Sequence, residues 1–472
     1  MTDVADVYAE HTHRLTIADL PEQTRRKTKL LVLDTLGAIL AANGADGCDE
    51  LMSVVRSWGS SGKATALGYG DKLPAHAAAL MNATLGRALE LDDVHEVALI
   101  HATVSMVPIA LAVAEQHADA GADVTGATFL TAVAAGFDIA ARIAIAPELH
   151  LGGDQYKPRS LSRTYMTSTL AGALVAAKVA RLDVEQTKDA FGNAYSNCAG
   201  NLQGLAEGTL TVRTQQGVSA MAAVMAMDFA RAGISGTRQS LEGKYGYFQT
   251  YFDLRYDRNV LLDDLGVRYE GDSSSIKPYA CCKYAHTGIA AALEIRGREG
   301  FDARAIDRVA VHVQSRDCWD LLCEPPATKT SADLLAAPSG WALAQFSYPY
   351  TVAAALLRGS FTTDDLTLAV RTDPELLELI DKVDLVLDDN TRGNVELPEP
   401  GHVEVTMRDG THHEAIVKRA IGHPDRPMSE AEMRDKFRWC ARRLPASRVE
   451  QLADLVLDIE NVGDVRELVA LC

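Results

Sequence analysis

With 472 residues, 47% of them hydrophobic, and a net charge of −18, this chain is large enough for an extensive core and two domains. The acidic balance argues against nucleic-acid and anionic-membrane partners, which call for basic faces, and admits an acidic substrate only through a local basic pocket. The eight cysteines form no C-x-x-C spacing or disulfide framework; residues 1–20 show no signal peptide and no apolar run reaches membrane-spanning length, so a reduced, cytoplasmic protein is expected.

Pro21 opens a helix that runs to about Ala42 and stops at Gly44. A second helix covers Asp49 to Trp58, then a turn at 59–62 leads to a short extended piece, Ala64 to Gly68. Pro74 opens an alanine-rich helix over 75–91, whose small residues suit close packing in a core. Further helices are predicted at about 104–119, 126–145, 166–181, 184–198 and 215–232. Apolar residues recur at helical spacing in all of them, and strand alternation is absent. Near residue 268 the pattern changes. Arg308 to Gln314 alternates as a strand, as does the run from Val403, and Asp409 with Gly410 makes a hairpin turn before His413 to Val417. Helices at about 284–297, 348–358 and 373–381 lie between. From Ser429 the pattern is helical again, at 430–443, 446–456 and 463–471. The reading is mainly α: a helical domain over 1–267, a smaller α+β lid over 268–427, and terminal helices over 428–472 that return to the first domain.

Between the apolar runs 75–91 and 104–114 sit Asp92, Asp93, His95, Glu96 and His101. Polar groups packed between buried helices must find partners; a solvated loop with capping aspartates is the bland alternative. His95 and His101 are six residues apart, so one helix face would not present both, and no metal is expected. No G-x-S-x-G, G-x-G-x-x-G after a strand, or Walker A motif occurs. Three other polar groups stand in apolar surroundings. Lys277 precedes Pro278 and so belongs to an extended loop. Tyr350 follows Pro349 at a helix start, and Arg213 precedes another helix and offers a bidentate carboxylate contact. A histidine with carboxylates, a lysine, a tyrosine and an arginine are the parts for proton abstraction next to a carboxylate. The cations stabilise the developing enediolate, and the histidine is the natural base.

Several motifs now combine: Leu31 to Gly37 with Asp34; Leu91, Asp92 and Asp93 with His101; Leu241 to Gly243 with Tyr245 and Gly246; Lys277 to Tyr279 with Cys282 and His286; Phe346 and Ser347 with Pro349 and Tyr350; and Lys436 with Phe437. Through them, over about residues 5–465, the chain resembles the MmgE/PrpD family, which includes 2-methylcitrate dehydratase, cis-aconitate decarboxylase and iminodisuccinate epimerase. The resemblance implies a large all-helical domain with a smaller α+β lid, a homodimer, and an interdomain active site without metal or organic cofactor. His101 would be the acid–base group with Asp93 orienting it, Lys277 and Arg213 would hold carboxylates, and Tyr350 would be a second proton donor. Asp92, His95, Arg163 and Cys282 would complete the substrate contacts. Two segments depart from the family pattern. Many members have a histidine ahead of the helix at 166, where this chain has Leu161 to Tyr165 with Arg163. Many have a lysine and a histidine ahead of the helix at 216, where this chain has Thr211 to Gln215 with Arg213.

The expected function is a lyase acting by proton transfer next to a carboxylate on a small di- or tricarboxylate, first of all a methylcitrate-dehydratase-like hydro-lyase. An epimerase or isomerase, or a cis-aconitate-decarboxylase-like enzyme, is the alternative within the class. A catalytically inactive relative that binds a carboxylate or a partner protein is the alternative outside it. Light scattering at micromolar concentration should give twice the 50.8 kDa of one chain; a species of single-chain mass alone would contradict the dimer.

Overall fold

The alanine- and glycine-rich apolar runs of the first half fold as closely packed helices. The computed structural model describes residues 2–59, 61–117, 123–147, 161–323, 330–336, 340–388 and 400–472. The first eight helices are α1 (Val4–Arg14), α2 (Glu22–Ala41), α3 (Cys48–Ser57), α4 (Ala75–Ala88), α5 (Thr103–Gln116), α6 (Gly126–Ile145), α7 (Arg163–Val179) and α8 (Val184–Tyr195). The helix Thr211–Arg231 then packs across α4, α7 and α8, and α5 packs against α4, α6 and α7. α1 is an addition to the expected elements; the Asp3 side chain caps it by accepting from the Ala5 N–H. Two helix starts come earlier than expected, so Arg163 and Arg213 lie in first turns rather than ahead of them.

One expectation needs correction. α6 is long and apolar enough to cross a membrane by length and composition, with a mean hydropathy of 1.6 in its most apolar window, but that window is 94% buried. It is a core helix. Its charges are paired internally: Arg142 Nε donates to Asp138 Oδ2 at 2.9 Å, and the same guanidinium donates to the carbonyls of Asp263 and Arg268, each at 2.8 Å.

Four two-residue strands form two small antiparallel ladders: β1 (Ala64–Thr65) with β2 (Lys72–Leu73), and β3 (Val94–His95) with β4 (Ser274–Ser275). The main sheet has β5 (Ile306–Val313), β6 (Val383–Leu387), β7 (Gly401–Met407) and β8 (His412–Val417) in the order β6-β5-β7-β8. β5 runs parallel to β6 and antiparallel to β7, and β7 and β8 form a hairpin. Gly410 at φ 86° turns that hairpin. β6, only five residues long and half polar-flanked, escaped the sequence reading. Along β5 and β7, Val309, Val311, Val313, Val403 and Val405 are buried. That face is covered by the helices His286–Arg296 and Tyr348–Arg358. The helices Glu430–Cys440 and Ala446–Leu457 pack on α2, and Arg466–Leu471 packs on α5.

Close approach of α4 and the helix Thr211–Arg231 depends on Gly217. A Cβ there would lie 2.4 Å from the Leu80 carbonyl oxygen and 2.2 Å from Thr84 Oγ1. Backbone cannot yield cheaply, so Gly217→Ala should lower stability by about 1–3 kcal/mol, measured as a reduced denaturation midpoint. An unchanged midpoint would show that the two helices can separate without cost.

Candidate active site

α4 ends at Ala88, and the chain reverses through Glu90, which has a φ of 52°. The loop that follows is held at both ends. The His95 N–H donates to the Ile100 carbonyl and the Leu99 N–H to the His95 carbonyl, at 3.0 and 2.9 Å. On its other side β3 pairs with β4, Val94 opposite Ser275 and His95 opposite Ser274. Two residues further along the same antiparallel register, Lys277 comes opposite Asp92. A segment 185 residues away in sequence thereby delivers its ammonium to the acidic loop.

The result is a buried charge cluster. Lys277 Nζ donates to Glu90 Oε2 at 2.8 Å and lies 3.9 Å from Asp92 Oδ1. Arg87, the one cation of the apolar helix α4, donates to Glu90 and lies 3.3 Å from Asp92 Oδ1. Burial opposes ionisation of Asp92, but Arg87, His101 and Lys277 outweigh it and hold its carboxyl well below the usual range. Glu90 is likewise opposed by burial and lowered by Arg87 and Lys277. Burial also opposes the charge on Lys277, but Glu90 and Asp92 overcome it and raise its pKa. Both acids therefore stay ionised and Lys277 stays protonated.

Asp93 is the opposite case. Burial and the neighbouring Asp92 charge push its carboxyl up to about 8, and the Thr103 hydroxyl offsets this only in part. Among the described residues, neither of its oxygens has a hydrogen bond of ordinary geometry. Near neutral pH Asp93 is thus mainly a carboxylic acid beside an ionised Asp92.

His101 sits against this pair. Its Nδ1 lies 2.7 Å from the Asp93 carbonyl oxygen and 2.9 Å from Asp92 Oδ2. A carbonyl only accepts, so Nδ1 carries the proton and Nε2 keeps the lone pair. Burial and Arg87 lower the pKa of the ring, against the pull of Asp92, so the imidazole is neutral. Its side chain is 14% exposed, whereas those of Asp92 and Lys277 are fully buried. Gln216, on the helix Thr211–Arg231, donates to Ser105 Oγ at 2.6 Å, Ser168 Oγ at 3.2 Å and the His101 carbonyl at 3.4 Å, which ties His101 to three helices.

Beside the cluster, Arg87, Glu90 and Arg213 from the helical part and Gln345 and Phe346 from the lid line a cleft. Arg213 donates to the Asp46 carbonyl at 2.8 Å and reaches Gln345 Oε1 at 3.5 Å. Cys282 is buried nearby, and its N–H donates to the Gln345 carbonyl at 2.9 Å. Burial and the charge on Glu90 push its thiol up to about 11, so it stays a thiol. Glu90 and Asp92 already face cations, which leaves this cluster suited to an anion with carboxylates rather than to a metal ion.

Two expected site residues, Tyr350 and His95, fall elsewhere, and a third, Arg163, bonds a backbone carbonyl. Tyr350 is buried in the lid, its hydroxyl donating to the Asp365 carbonyl and its ring edge-on to Phe361; its N–H donates to the Ser347 cap. His95 accepts from the N–H groups of Val97 and Ala98, at 3.2 and 2.9 Å, and its Nε2 lies 3.6 Å from Glu270. It shapes the loop instead of facing the cleft. Arg163 donates to the Ala144 carbonyl at 3.0 Å, and the next residue, Thr164, accepts from the His101 N–H at 3.4 Å. The structure brings together Asp92, Asp93, His101 and Lys277, with Arg213 and Cys282 at the edge. Sequence reasoning missed Arg87 and Glu90 as members. A single arginine in an otherwise apolar, alanine-rich helix was the available signal. It also missed that Lys436 donates to Asp34 on α2 and, at 3.1 Å, to the carbonyl of Leu91, next to Asp92.

Comparison with known proteins agrees with this fold. Residues 7–258 match the MmgE/PrpD N-terminal domain and residues 279–461 the MmgE/PrpD C-terminal domain. The chain belongs to the MmgE/PrpD family. It is similar to the cis-aconitate decarboxylase-like protein oryM of Aspergillus oryzae, 26% identical over 96% of this chain and 94% of the relative. It is also similar to a cis-aconitate decarboxylase of Aspergillus terreus, 25% identical over 96% of this chain and 92% of the relative. The mouse cis-aconitate decarboxylase is 22% identical over 100% and 93%.

The raised pKa of Asp93 has a consequence for stability. Between the ordinary carboxyl value and about 8, the folded state holds a proton that the unfolded state releases. Its contribution therefore weakens stability progressively as pH rises through that window, and levels off above it. Asp93→Asn should remove this slope. Denaturant titrations from about pH 5 to about pH 8 should show a variant whose advantage over the parent grows with pH. A constant difference would mean that Asp93 is ionised throughout.

Proposed function

We propose that this protein is a cytoplasmic, homodimeric lyase that moves a proton at a carbon next to a carboxylate of a small tricarboxylate. The observation that carries the reading is the neutral His101, its Nδ1–H held by the Asp93 carbonyl and its Nε2 free to exchange a proton, beside carboxyls of opposite protonation. Arg87, Lys277 and Arg213 provide three cations against two ionised acids, Glu90 and Asp92. That surplus suits a polyanionic substrate and stabilises negative charge developing on an enediolate.

The names of the relatives favour loss of carbon dioxide. In that reaction the bond from carbon to the leaving carboxylate breaks, and its electron pair stays on carbon, spread into the conjugated carboxylate. Carbon dioxide departs, and the carbon takes a proton from the neutral acid Asp93, or from His101 once its Nε2 has taken one from solvent. The protonated Asp93 supports dehydration as a second reading. There, His101 Nε2 takes the proton next to the carboxylate, the carbon–carbon double bond forms, and the hydroxyl leaves as water with the proton of Asp93. The missing family histidine near Arg163 and the lysine replaced around Arg213 bear on which carboxylate is held where.

Incubation with cis-aconitate and with 2-methylcitrate in deuterium oxide separates these readings. Decarboxylation gives product with deuterium on the carbon that lost carbon dioxide; dehydration gives an unsaturated product and exchange at the abstracted position. Binding without turnover of any tricarboxylate would overturn the proposal in favour of an inactive relative. General acid–base catalysis is worth roughly 10²–10⁴-fold, so His101→Gln should lose about that much in kcat with little change in substrate affinity. Full exchange in the His101→Gln protein would assign the proton transfer to another group.

A further inference from the structure

The solvent-facing side of the lid sheet carries a cluster unrelated to the cleft. His312 on β5 stands directly opposite His402 on β7, and Glu404 and Glu414 face each other across β7 and β8. Strand side chains alternate, so His402 and Glu404, two residues apart, share a face, and cross-strand neighbours join them there. The two imidazoles stack, with centroids 4.1 Å apart and planes 14° from parallel. Both Nε2 atoms converge on one carboxylate: His312 Nε2 lies 3.3 Å and His402 Nε2 3.6 Å from Glu404 Oε1. Glu414 Oε1 lies 2.9 Å from His402 Nε2.

We propose that His312, His402 and Glu404, with Glu414 as a fourth donor, form a binding site for a divalent transition-metal ion of the zinc type. Ligand atoms of His312, His402 and Glu404 all lie within 4.8 Å of one another. Metal–ligand bonds of about 2.0–2.2 Å in a tetrahedron put neighbouring donors about 3.4 Å apart, and the three distances to Glu404 and Glu414 bracket that value. His312 Nε2 is shielded from solvent and makes no hydrogen bond among the described residues, although it lies this close to a carboxylate oxygen. A shielded imidazole nitrogen this near a carboxylate oxygen, yet not hydrogen-bonded to it, has its electron pair available to an ion lodged in the cluster. Two imidazoles with carboxylates match zinc, cobalt or nickel better than the all-oxygen ions. The donors come from β5, β7 and β8, so an ion would clamp three strands of the lid. It would do so on the face opposite Val309, Val311, Val403 and Val405, which pack beneath the lid helices.

The test uses the full-length chain after chelator dialysis. Zinc is titrated calorimetrically, thermal unfolding is followed with and without zinc, and cobalt is added as a coloured substitute. The expected result is one equivalent bound, an upward shift of Tm with zinc, and a cobalt spectrum of tetrahedral type. His402→Ala and Glu404→Gln should each weaken zinc binding by at least about tenfold and abolish the Tm shift. His412→Ala, which alters an exposed histidine of the same hairpin outside the cluster, should bind as the parent does. Glu404→Gln keeps the size of the side chain, so the comparison holds even where His402→Ala folds poorly. No binding at micromolar zinc, or binding that His402→Ala and Glu404→Gln leave intact, would overturn the site.

Discussion

The contact on which the site depends is the buried ion pair between Lys277 and Glu90, with Asp92 and Arg87 beside it. Taking each of these ions out of water costs several kcal/mol, and only close opposite charges and hydrogen bonds offset it. Arg87 pairs with Glu90 and Asp92 within its own segment, but the two acids also take Lys277 from far along the chain. Glu90 and Asp92 need Arg87 from α4 and Lys277 from beyond residue 270, and Lys277 reaches them only while β3 and β4 are paired. Formation of the acidic loop and its docking against the segment leading into the lid are therefore one event. A misregister of β3 and β4 by a single residue would point Lys277 to the opposite side.

This cluster also explains how adjacent aspartates take different protonation states. Asp92 lies among three cationic or proton-bearing groups, and Asp93 is buried with Asp92's charge at its side. The backbone carbonyl of Asp93 does a separate job from its side chain, accepting from His101 Nδ1 and so choosing the tautomer. One dipeptide thus supplies an ionised acid, a neutral acid and the acceptor that orients the imidazole. Burial and distance set each of these, and residue type does not distinguish them.

The ends of the chain contribute at a distance. Lys436, on the helix Glu430–Cys440, neutralises Asp34 on α2 and bonds the Leu91 carbonyl, so the last part of the sequence braces the loop that carries Asp92. Gln216 braces the other side of the loop through His101. Gln216 is buried and Lys436 half-buried, and the hydrogen bonds of both join elements far apart in sequence. Such partners keep the acidic loop in one conformation because each alternative leaves a buried polar group unpaired.

Helical periodicity, helix-opening prolines and the change to strand alternation near residue 268 made the mainly α architecture with an α+β lid readable without a structure. These signals are local: each rests on residues within a few turns of one another. The acidic loop with His101, and Lys277 as a group of consequence, were also legible, as polar residues in apolar surroundings. β6 was not, because five residues with polar neighbours carry too little pattern to distinguish a strand. Nor were the true partners. Tyr350 and His95 have the residue types of a site, yet the Asp365 carbonyl and the loop N–H groups absorb them, while Arg87 and Glu90 join the cluster without having been expected there. By itself the sequence determined which segments are helical, which turn, and where polar groups interrupt the apolar runs. Only the tertiary structure decided which of those groups meet, which acid keeps its proton and which nitrogen of His101 is free, because burial and charge–charge distances arise from contacts between segments hundreds of residues apart.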